Sequence, residues 1–281
     1  MDIQWYPGHM TKTRRQITAD IGLCDIVLEL LDARIPGSSR NPDIVDIVGA
    51  KKHVLVLNKA DLADANITAR WKAHYEGLGF YVITAKSDST KVAGDVTSTV
   101  EVLMRDKRER LKGRGRNNLV ARAIVLGVPN VGKSTLINQY AKRAAAAVAD
   151  RPGVTRGRQW IRVSPVFELL DTPGILWPKF DDPDVAARLA LTGAIKETIT
   201  DTTMLALYCL RSLREIAPKS IKTRYKVDFA ADTADEALLS DIAAARGFRL
   251  QGNQLDTERA AATIIREFRD GKLGRLTLER P

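Results

Sequence analysis

The sequence predicts an α/β protein with a doubly wound, mostly parallel sheet, followed by a small all-α domain. In the first 180 residues, short runs rich in Val, Ile and Leu alternate with helical stretches, and after that the pattern becomes helical throughout. We therefore expect two domains, residues 1–180 and residues 181–281. The expected strands lie within the runs 25–32, 53–61, 80–87, 122–130, 159–163 and 167–174.

The helical stretches are placed by apolar spacing and by residues that begin or end helices. Thr233 and Glu236 form a capping-box pattern ahead of one helix of the second domain. Asp256 is the expected cap of a later helix, and Gly271 is placed to end it. Helical stretches at other places are 64–77, 133–146 and 202–216.

Composition favours an ordinary soluble protein. The 281 residues are 44% hydrophobic and 28% charged. No apolar run approaches the roughly 18 residues of a membrane span, and the first residues lack a signal-peptide pattern. Cys24 and Cys209 lie far apart and match no metal-binding spacing. We expect a reducing, cytoplasmic setting, with no membrane partner.

Charge is distributed unevenly along the chain. The net charge is +10, and residues 181–281 hold 16 basic and 16 acidic residues, so the excess lies in residues 1–180. Any single basic cluster is equally well explained as solvated surface. Three clusters together favour a polyanionic partner, most simply RNA. They are Lys12 to Arg15, Arg105 to Arg122, and Arg151 to Arg162.

The strongest motif is GVPNVGKS, Gly127 to Ser134, which fits the phosphate-loop pattern G-x-x-x-x-G-K-[ST]. It follows a predicted strand and opens a predicted helix, so backbone N–H groups can surround phosphate oxygens. Lys133 would contact the β- and γ-phosphates, and Ser134 would bind Mg²⁺. The expected nucleotide-binding residues here are Asn130, Val131, Gly132, Lys133, Ser134 and Thr135.

Two further segments suit the phosphate end of a nucleotide. In DTPG, Asp171 could hold Mg²⁺ through a water, and the N–H of Gly174 could sense the γ-phosphate. About 40 residues separate this motif from the phosphate loop, which makes an otherwise weak match strong. Thr155, in RPGVTRG, could bind Mg²⁺ in the triphosphate state, with an ordinary loop threonine as the alternative.

The motif NKAD, Asn58 to Asp61, predicts selection of guanine. A carboxylate at Asp61 can accept hydrogen bonds from guanine N1–H and its 2-amino group, whereas adenine offers neither donor. Alone, the motif would be read as a surface turn. The segment TAKS (84–87) fits a loop that backs the base. The expected base-binding residues are Asn58, Lys59, Ala60, Asp61, Lys86 and Ser87.

These motifs occur in an unusual order, because the guanine loops precede the phosphate loop. The same site forms if the usual termini are joined and the chain is opened elsewhere, which close-lying termini permit. We therefore predict a circularly permuted P-loop GTPase domain. The basic segment 107–118 is the expected linker at the join. The permutation also attaches the helical domain directly after DTPG, where nucleotide state can act on it.

Seven motifs in this order resemble the ribosome biogenesis GTPase A (RbgA/YlqF) family of circularly permuted GTPases. The resemblance implies a factor for late assembly of the large ribosomal subunit, with slow intrinsic hydrolysis that rises on the subunit. It also implies an RNA-binding helical domain. The motifs are IQWYPGHM (3–10), LLDARIPGSSRNP (30–42), LNKAD (57–61), GVPNVGKSTLIN (127–138), DRPGVT (150–155), LLDTPGILWPKF (169–180) and LTGAIK (191–196).

The resemblance also assigns two residues. It implies that Asn130 coordinates K⁺, which supplies the positive charge that an arginine finger supplies elsewhere. The alternative is an ordinary loop asparagine. Ile175 and Leu176 stand where other GTPases carry a glutamine that orients water. The resemblance therefore points to His9 as the catalytic group, against the alternative of a frayed terminus.

The resulting prediction is a GTPase that binds the maturing large (50S) subunit, uses Mg²⁺, and leaves after hydrolysis. We expect it to be a monomer when free. One alternative is an enzyme that uses GTP while modifying RNA, but no further catalytic cluster supports it. Another is an RNA chaperone with a vestigial nucleotide site, against which the intact Asp61, Lys133, Ser134 and Asp171 argue.

Overall fold

The computed structural model describes residues 10–86, 90–115, 119–147, 160–170, 172, 182–195 and 201–281. Within these residues, one mixed sheet has six strands. The strands are β1 (Ile26–Asp32), β2 (Lys52–Asn58), β3 (Tyr81–Thr84), β4 (Ala121–Gly127), β5 (Trp160–Ser164) and β6 (Phe167–Leu170).

The strand order in the sheet is β3-β2-β1-β4-β6-β5. All neighbouring pairs are parallel except β5 and β6, which are antiparallel. The register pairs Asp32 with Asn58 and Leu30 with Gly127, so β1, β2 and β4 end at one edge. Ligand loops of open α/β sheets lie at this edge. The predicted α/β class is confirmed.

The sheet is buried because its central strands are apolar on both faces. Every residue of β1 is buried, including the acidic residues Glu29 and Asp32. Such near-continuous apolar runs are typical of parallel strands covered by helices on both sides. The strands are shorter than the runs in the sequence, since β2 ends at Asn58 and β4 at Gly127. The motif residues that follow are therefore free to form loops.

Ten α-helices are present among the described residues. Helix α10 packs against α7 and α9, and the apolar cluster around it continues through α6 into the sheet. The predicted boundary near residue 180 stays a prediction. The helices are α1 (Met10–Gly22), α2 (Pro42–Val48), α3 (Ala65–Gly77), α4 (Thr90–Lys112), α5 (Lys133–Ala147), α6 (Pro183–Leu191), α7 (Thr202–Ile216), α8 (Pro218–Tyr225), α9 (Asp235–Ala245) and α10 (Thr257–Arg269).

Two local expectations were wrong. The basic segment 107–118 is not a linker throughout, because α4 continues to Lys112. Arg, Lys, Glu and Leu are good helix formers, and residues earlier in α4 such as Val100 anchor it in the core. Ala234, and not Thr233, is the N-cap residue of α9. The Thr233 hydroxyl instead accepts a hydrogen bond from the Ala230 N–H, a local turn that competes with capping.

The cap predicted for α10 is confirmed. The Asp256 carboxylate accepts a hydrogen bond from the Arg259 N–H at 2.9 Å. Gly271, just beyond the helix, has a positive φ of 72°. None of the helices in the described residues is long and apolar enough to cross a membrane.

Candidate nucleotide site

The predicted phosphate loop connects β4 to α5 at the carboxyl edge of the sheet. Gly127 ends β4 with a φ of 145°, and a Cβ there would lie 2.6 Å from the Leu30 carbonyl oxygen. Only glycine fits such a close backbone approach. Gly132 also has a positive φ, 108°, immediately before α5 begins. The two glycines shape the loop as the motif predicts.

Lys133 is buried at the first residue of α5. Its Nζ donates to the carbonyl oxygens of Gly127 at 2.9 Å and Val128 at 3.0 Å. The ammonium group is thereby held against the start of the loop. Ser134 and Thr135, the next two residues, are exposed in the first turn of the helix. Their hydroxyls suit an anion and its metal, as do the N–H groups at the start of any α-helix, which have no acceptor within the helix.

The loop after β2 is bonded directly to the phosphate loop. Asn58 Nδ2 donates to the Val131 carbonyl oxygen at 2.8 Å, and Lys59 Nζ donates to that of Asn130 at 2.7 Å. Lys59 has a φ of 58°, the left-handed region, so its backbone turns sharply after the strand. The two bonds join residues that are 73 and 71 positions apart in the chain. They hold the two predicted nucleotide loops together.

Asp61 presents an acceptor that lacks a partner. Its Oδ1 is inaccessible and makes no hydrogen bond with any of the described residues. A shielded carboxylate oxygen without a donor is costly, so a ligand with two N–H donors would be favoured there. The Ala60 N–H donates to the Ala85 carbonyl oxygen at 3.0 Å, which joins this loop to TAKS. Lys86 is exposed beside it.

Thr172, the second residue of DTPG, lies beside the strand that leads into the phosphate loop. Strand β6 runs parallel to β4, and the Thr172 hydroxyl just beyond it donates to the Val125 carbonyl oxygen. Five predicted site residues lie outside the described residues. They are His9, Ser87 of TAKS, Thr155, Asp171 and Gly174.

Asn130 is bonded to the segment after α6. The residue is exposed, has a φ of 57°, and donates from Nδ2 to the Gly193 carbonyl oxygen at 2.6 Å. This use of the amide nitrogen leaves Oδ1 as the acceptor end of the side chain. The contact connects the phosphate loop with the motif LTGAIK of the C-terminal part of the chain.

Asp32 is part of this site although motif reasoning gave it no role. Burial disfavours its charged form, but the adjacent Arg34 and Lys59 cations hold the pKa of the carboxyl well below its ordinary value. Its Oδ2 lies 3.1 Å from Lys59 Nζ. A signal was available in the sequence, since Asp32 ends a buried strand next to the one that leads into NKAD.

A family model described as "50S ribosome-binding GTPase" matches residues 122–229. The ribosome biogenesis GTPase A of Bacillus pumilus is 45% identical over 100% of this chain and 99% of its own. That of Thermotoga maritima is 34% identical over 99% of this chain and 95% of its own. The crystal structure of GNP-bound YlqF from T. maritima matches with a TM-score of 0.66 and 28% identity, covering 96% of this chain and 98% of that one.

The NKAD loop precedes the phosphate loop in the chain, and the structure matches that of YlqF. The fold is therefore that of a circularly permuted P-loop GTPase. The identities of 45% and 34% over nearly the whole chain also identify the family within this class. The chain belongs to the ribosome biogenesis GTPase A family, whose members are GTP hydrolases.

Proposed function

We propose that this GTPase binds the maturing large (50S) ribosomal subunit and promotes a late assembly step. Ribosome-stimulated GTP hydrolysis then drives its release. The observation that carries the proposal is the pair of bonds from Asn58 and Lys59 to the phosphate loop, together with the unpaired Asp61 oxygen. This is a guanine site already assembled around its phosphate site, in a family named for ribosome assembly.

Each described loop has a distinct role toward GTP. Asp61 accepts from the guanine N1–H and 2-amino groups, and Lys59 supports the base while holding the phosphate loop. Lys133 neutralises charge on the β- and γ-phosphates, after exchanging its bonds to the loop carbonyls for phosphate oxygens. Backbone N–H groups from Val131 to Thr135 surround the phosphates.

The residues present fit a magnesium ion. Ser134 exposes a hydroxyl oxygen in the first turn of α5, directly after Lys133, and oxygen donors are the ligands that Mg²⁺ prefers. Thr155 and Asp171 are the further proposed ligands. When bound, the ion would offset phosphate charge that develops during hydrolysis.

His9 is the proposed catalytic residue. The residues after DTPG are Ile175 and Leu176, which have no group to orient water. An imidazole can position or deprotonate the attacking water. Pro7 and Gly8 favour a turn, and we propose that this turn brings the N-terminal segment over the nucleotide when the protein is bound to the ribosome. Hydrolysis would thereby wait for subunit binding.

Asn130 is proposed to coordinate K⁺ through Oδ1, since its Nδ2 already donates to Gly193. A monovalent cation there would add positive charge beside the phosphates, as an arginine finger does in other systems. Turnover in potassium and in sodium salts at equal ionic strength tests this role. Slower turnover in sodium is expected, and equal rates would exclude it.

The remaining features concern partners. The net charge of +10 lies in residues 1–180, so that part contacts rRNA phosphates, as does the basic side of the helical domain. The latter includes Lys219, Lys222, Arg224 and Lys226, of which Lys222 and Arg224 also form ion pairs within the chain. We propose that the free protein is a cytoplasmic monomer without a membrane partner.

Sedimentation with large-subunit precursors tests the proposed function. Association should be strong with a non-hydrolysable GTP analogue and weak with GDP, and GTP turnover should rise when precursors are added. Equal association in both nucleotide states would refute the switch. Binding to precursors without any GTP turnover would instead favour the RNA chaperone with a vestigial site.

A further inference from the structure

The motif LLDARIPGSSRNP contains a buried ion pair with no role in the proposed hydrolysis. Arg34 is 2% exposed, and its Nε and Nη2 donate to the two Asp32 carboxylate oxygens at 2.9 and 2.8 Å. Two parallel bonds of this kind are the most specific arginine–carboxylate geometry. The guanidinium also lies over the Phe268 ring, 5.3 Å from its centroid.

This pair touches the nucleotide loops on one side and α10 on the other. Asp32 Oδ2 is 3.1 Å from Lys59 Nζ, which itself donates to the Asn130 carbonyl oxygen. Arg34 Nη1 donates to the carbonyl oxygen of Arg269, the last residue of α10, at 3.4 Å. Arg34 therefore contacts both Asp32, which holds the guanine-loop lysine, and the end of a C-terminal helix.

The last seven residues, Arg275–Pro281, cross the same loops; we call this segment the C-terminal strap. The Leu276 N–H donates to the Leu62 carbonyl oxygen, and the Leu278 N–H donates to that of Arg34. Between them, Thr277 Oγ1 accepts from the Asp64 N–H at 3.1 Å. Three consecutive strap residues thus bond the loop after β1 and the loop after β2.

Glu279 anchors the strap. Its carboxylate accepts from the Ser38 N–H at 2.9 Å and from the Ser38 hydroxyl at 2.6 Å. Arg188 of α6 lies 3.3 Å from the same carboxylate. The Trp71 indole N–H donates to the Glu279 carbonyl oxygen at 3.2 Å. The strap is thereby attached to three separate elements of the fold.

A second connection leads from α10 to the phosphate loop. Arg269 Nε donates to the Leu191 carbonyl oxygen and its Nη2 to that of Ala190, both at 2.9 Å. These carbonyls end α6, two residues before Gly193, whose oxygen accepts from Asn130. Both nucleotide loops therefore make bonded contact with elements that α10 holds.

We propose that Arg34 is a positioning residue that makes the geometry of the guanine loop depend on the docking of α10 and the C-terminal strap. This inference rests on the proposed function, because it assigns regulation to the same nucleotide site. Arg34 keeps Asp32 charged and in place, and Asp32 keeps Lys59 in place. Undocking α10 removes the third contact of the guanidinium and exposes the pair to water.

Thermodynamic linkage makes the effect reciprocal. If a docked strap raises nucleotide affinity, then bound nucleotide must stabilise the docked strap by the same factor. A ribosomal partner that pulls on the C-terminal helices would therefore weaken nucleotide binding. Nucleotide binding would in turn protect the strap amides of Leu276 and Leu278 from hydrogen exchange.

The test compares wild type with Arg34→Lys in the full-length protein. Lysine keeps the buried positive charge but cannot form the paired bonds to Asp32 while also reaching Arg269. Affinity for a fluorescent GDP derivative and amide exchange of the strap with and without GDP are measured. We expect affinity to fall about tenfold and the GDP-dependent protection of the strap to disappear. Arg211→Ala, which removes an exposed ion pair on α7, is the matched control and should behave as wild type.

Glu279→Ala provides a second variant that leaves the buried pair intact. Faster exchange of the strap and weaker GDP binding are expected, and this variant decides the matter if Arg34→Lys does not fold. Wild-type affinity and wild-type GDP-dependent protection in either folded variant would overturn the proposal. If wild type itself binds no guanine nucleotide, the proposed function fails, whereas GDP binding without any change in strap exchange refutes the coupling alone.

Discussion

At the scale of single residues, the site combines groups that already have partners with one that does not. Asn58, Lys59 and Lys133 all donate to backbone carbonyls of the phosphate loop. Asp61 Oδ1, by contrast, is shielded and has no donor in the part of the chain that the structure describes. We therefore expect base recognition, the role proposed for Asp61, to be the property most sensitive to a single substitution, because other residues fix the loops around the carboxylate.

Asp61→Asn should change nucleotide preference from GTP to xanthosine triphosphate. The asparagine amide can donate to the second carbonyl of xanthine, while it loses one of the two acceptors that guanine requires. Competition of both triphosphates against a fluorescent GDP derivative measures the change. Asp232→Asn, at an exposed position, is the control, and an unchanged GTP preference in Asp61→Asn would remove Asp61 from base recognition.

His9→Ala should leave GTP affinity within a few-fold of wild type but lower subunit-stimulated turnover about 10²-fold, the scale of an acid–base group. The imidazole is proposed to act on water and not on the nucleotide, so binding and catalysis should separate. Single-turnover hydrolysis with large-subunit precursors measures the effect, and His74→Ala, at an exposed position on α3, serves as control. Full activity without His9 would mean that another group positions the water.

The residues of the nucleotide motifs could be predicted because each motif is local and dictated by one ligand. The roles of Asp32 and Arg34 were harder to predict. The sequence places Asp32 at the end of a buried strand, but charged residues are normally exposed, and no local pattern reveals the pairing that permits their burial. The sequence contains them in a motif that the resemblance singled out, yet their role depends on Arg269, which is 235 residues away at their contact.

At the scale of elements, the hydrophobic pattern of the sequence predicts the strands well, whereas capping residues predict helix ends less reliably. The apolar runs predicted the sheet strands, since burial on both faces leaves a strong signal. Asp256 and Thr233 show why helix caps are harder to predict. Both residue types cap helices, but only Asp256 does so, while Thr233 bonds the Ala230 N–H in its own turn. The choice between cap and turn depends on backbone geometry that sequence does not contain.

Asp256→Ala should destabilise the protein by about 1 kcal/mol, the usual effect of losing an N-cap. The Arg259 N–H would lose its acceptor at the start of α10, the helix that also contacts Arg34. Urea unfolding followed by circular dichroism measures the difference. Asp232→Ala, outside any helix, is the control, and equal stability of the two variants would contradict the capping role.

At the scale of the whole molecule, two features stand out: the distribution of charge and the permuted order of the motifs. The excess positive charge lies in residues 1–180, and the remainder is balanced. The sequence alone predicts this asymmetry and the circular permutation, because both are properties of composition and motif order. It does not predict the C-terminal strap, whose contacts to Ser38 span 241 residues and follow no local pattern.

The logarithm of the binding constant for the large-subunit precursor should fall linearly as the logarithm of the salt concentration rises, since basic residues displace counterions from RNA phosphates. Removing exposed charges at Arg110 and Lys112 should reduce the magnitude of the slope by about 1 for each cation that touches phosphate. Binding isotherms over a series of potassium chloride concentrations measure the slope. Arg211→Gln in the balanced segment is the control, and an identical slope in all variants would exclude α4 from the RNA contact.

The strap also has a consequence for how the protein is made. Asp64 and Thr277, which share a hydrogen bond, are 213 residues apart in the chain. During translation the guanine loop therefore emerges long before the segment that braces it, and closing so long a loop makes this contact a late event in folding. On the proposed coupling, a newly synthesised chain would bind nucleotide with full affinity only after residues 275–281 have left the ribosome and docked on the two loops.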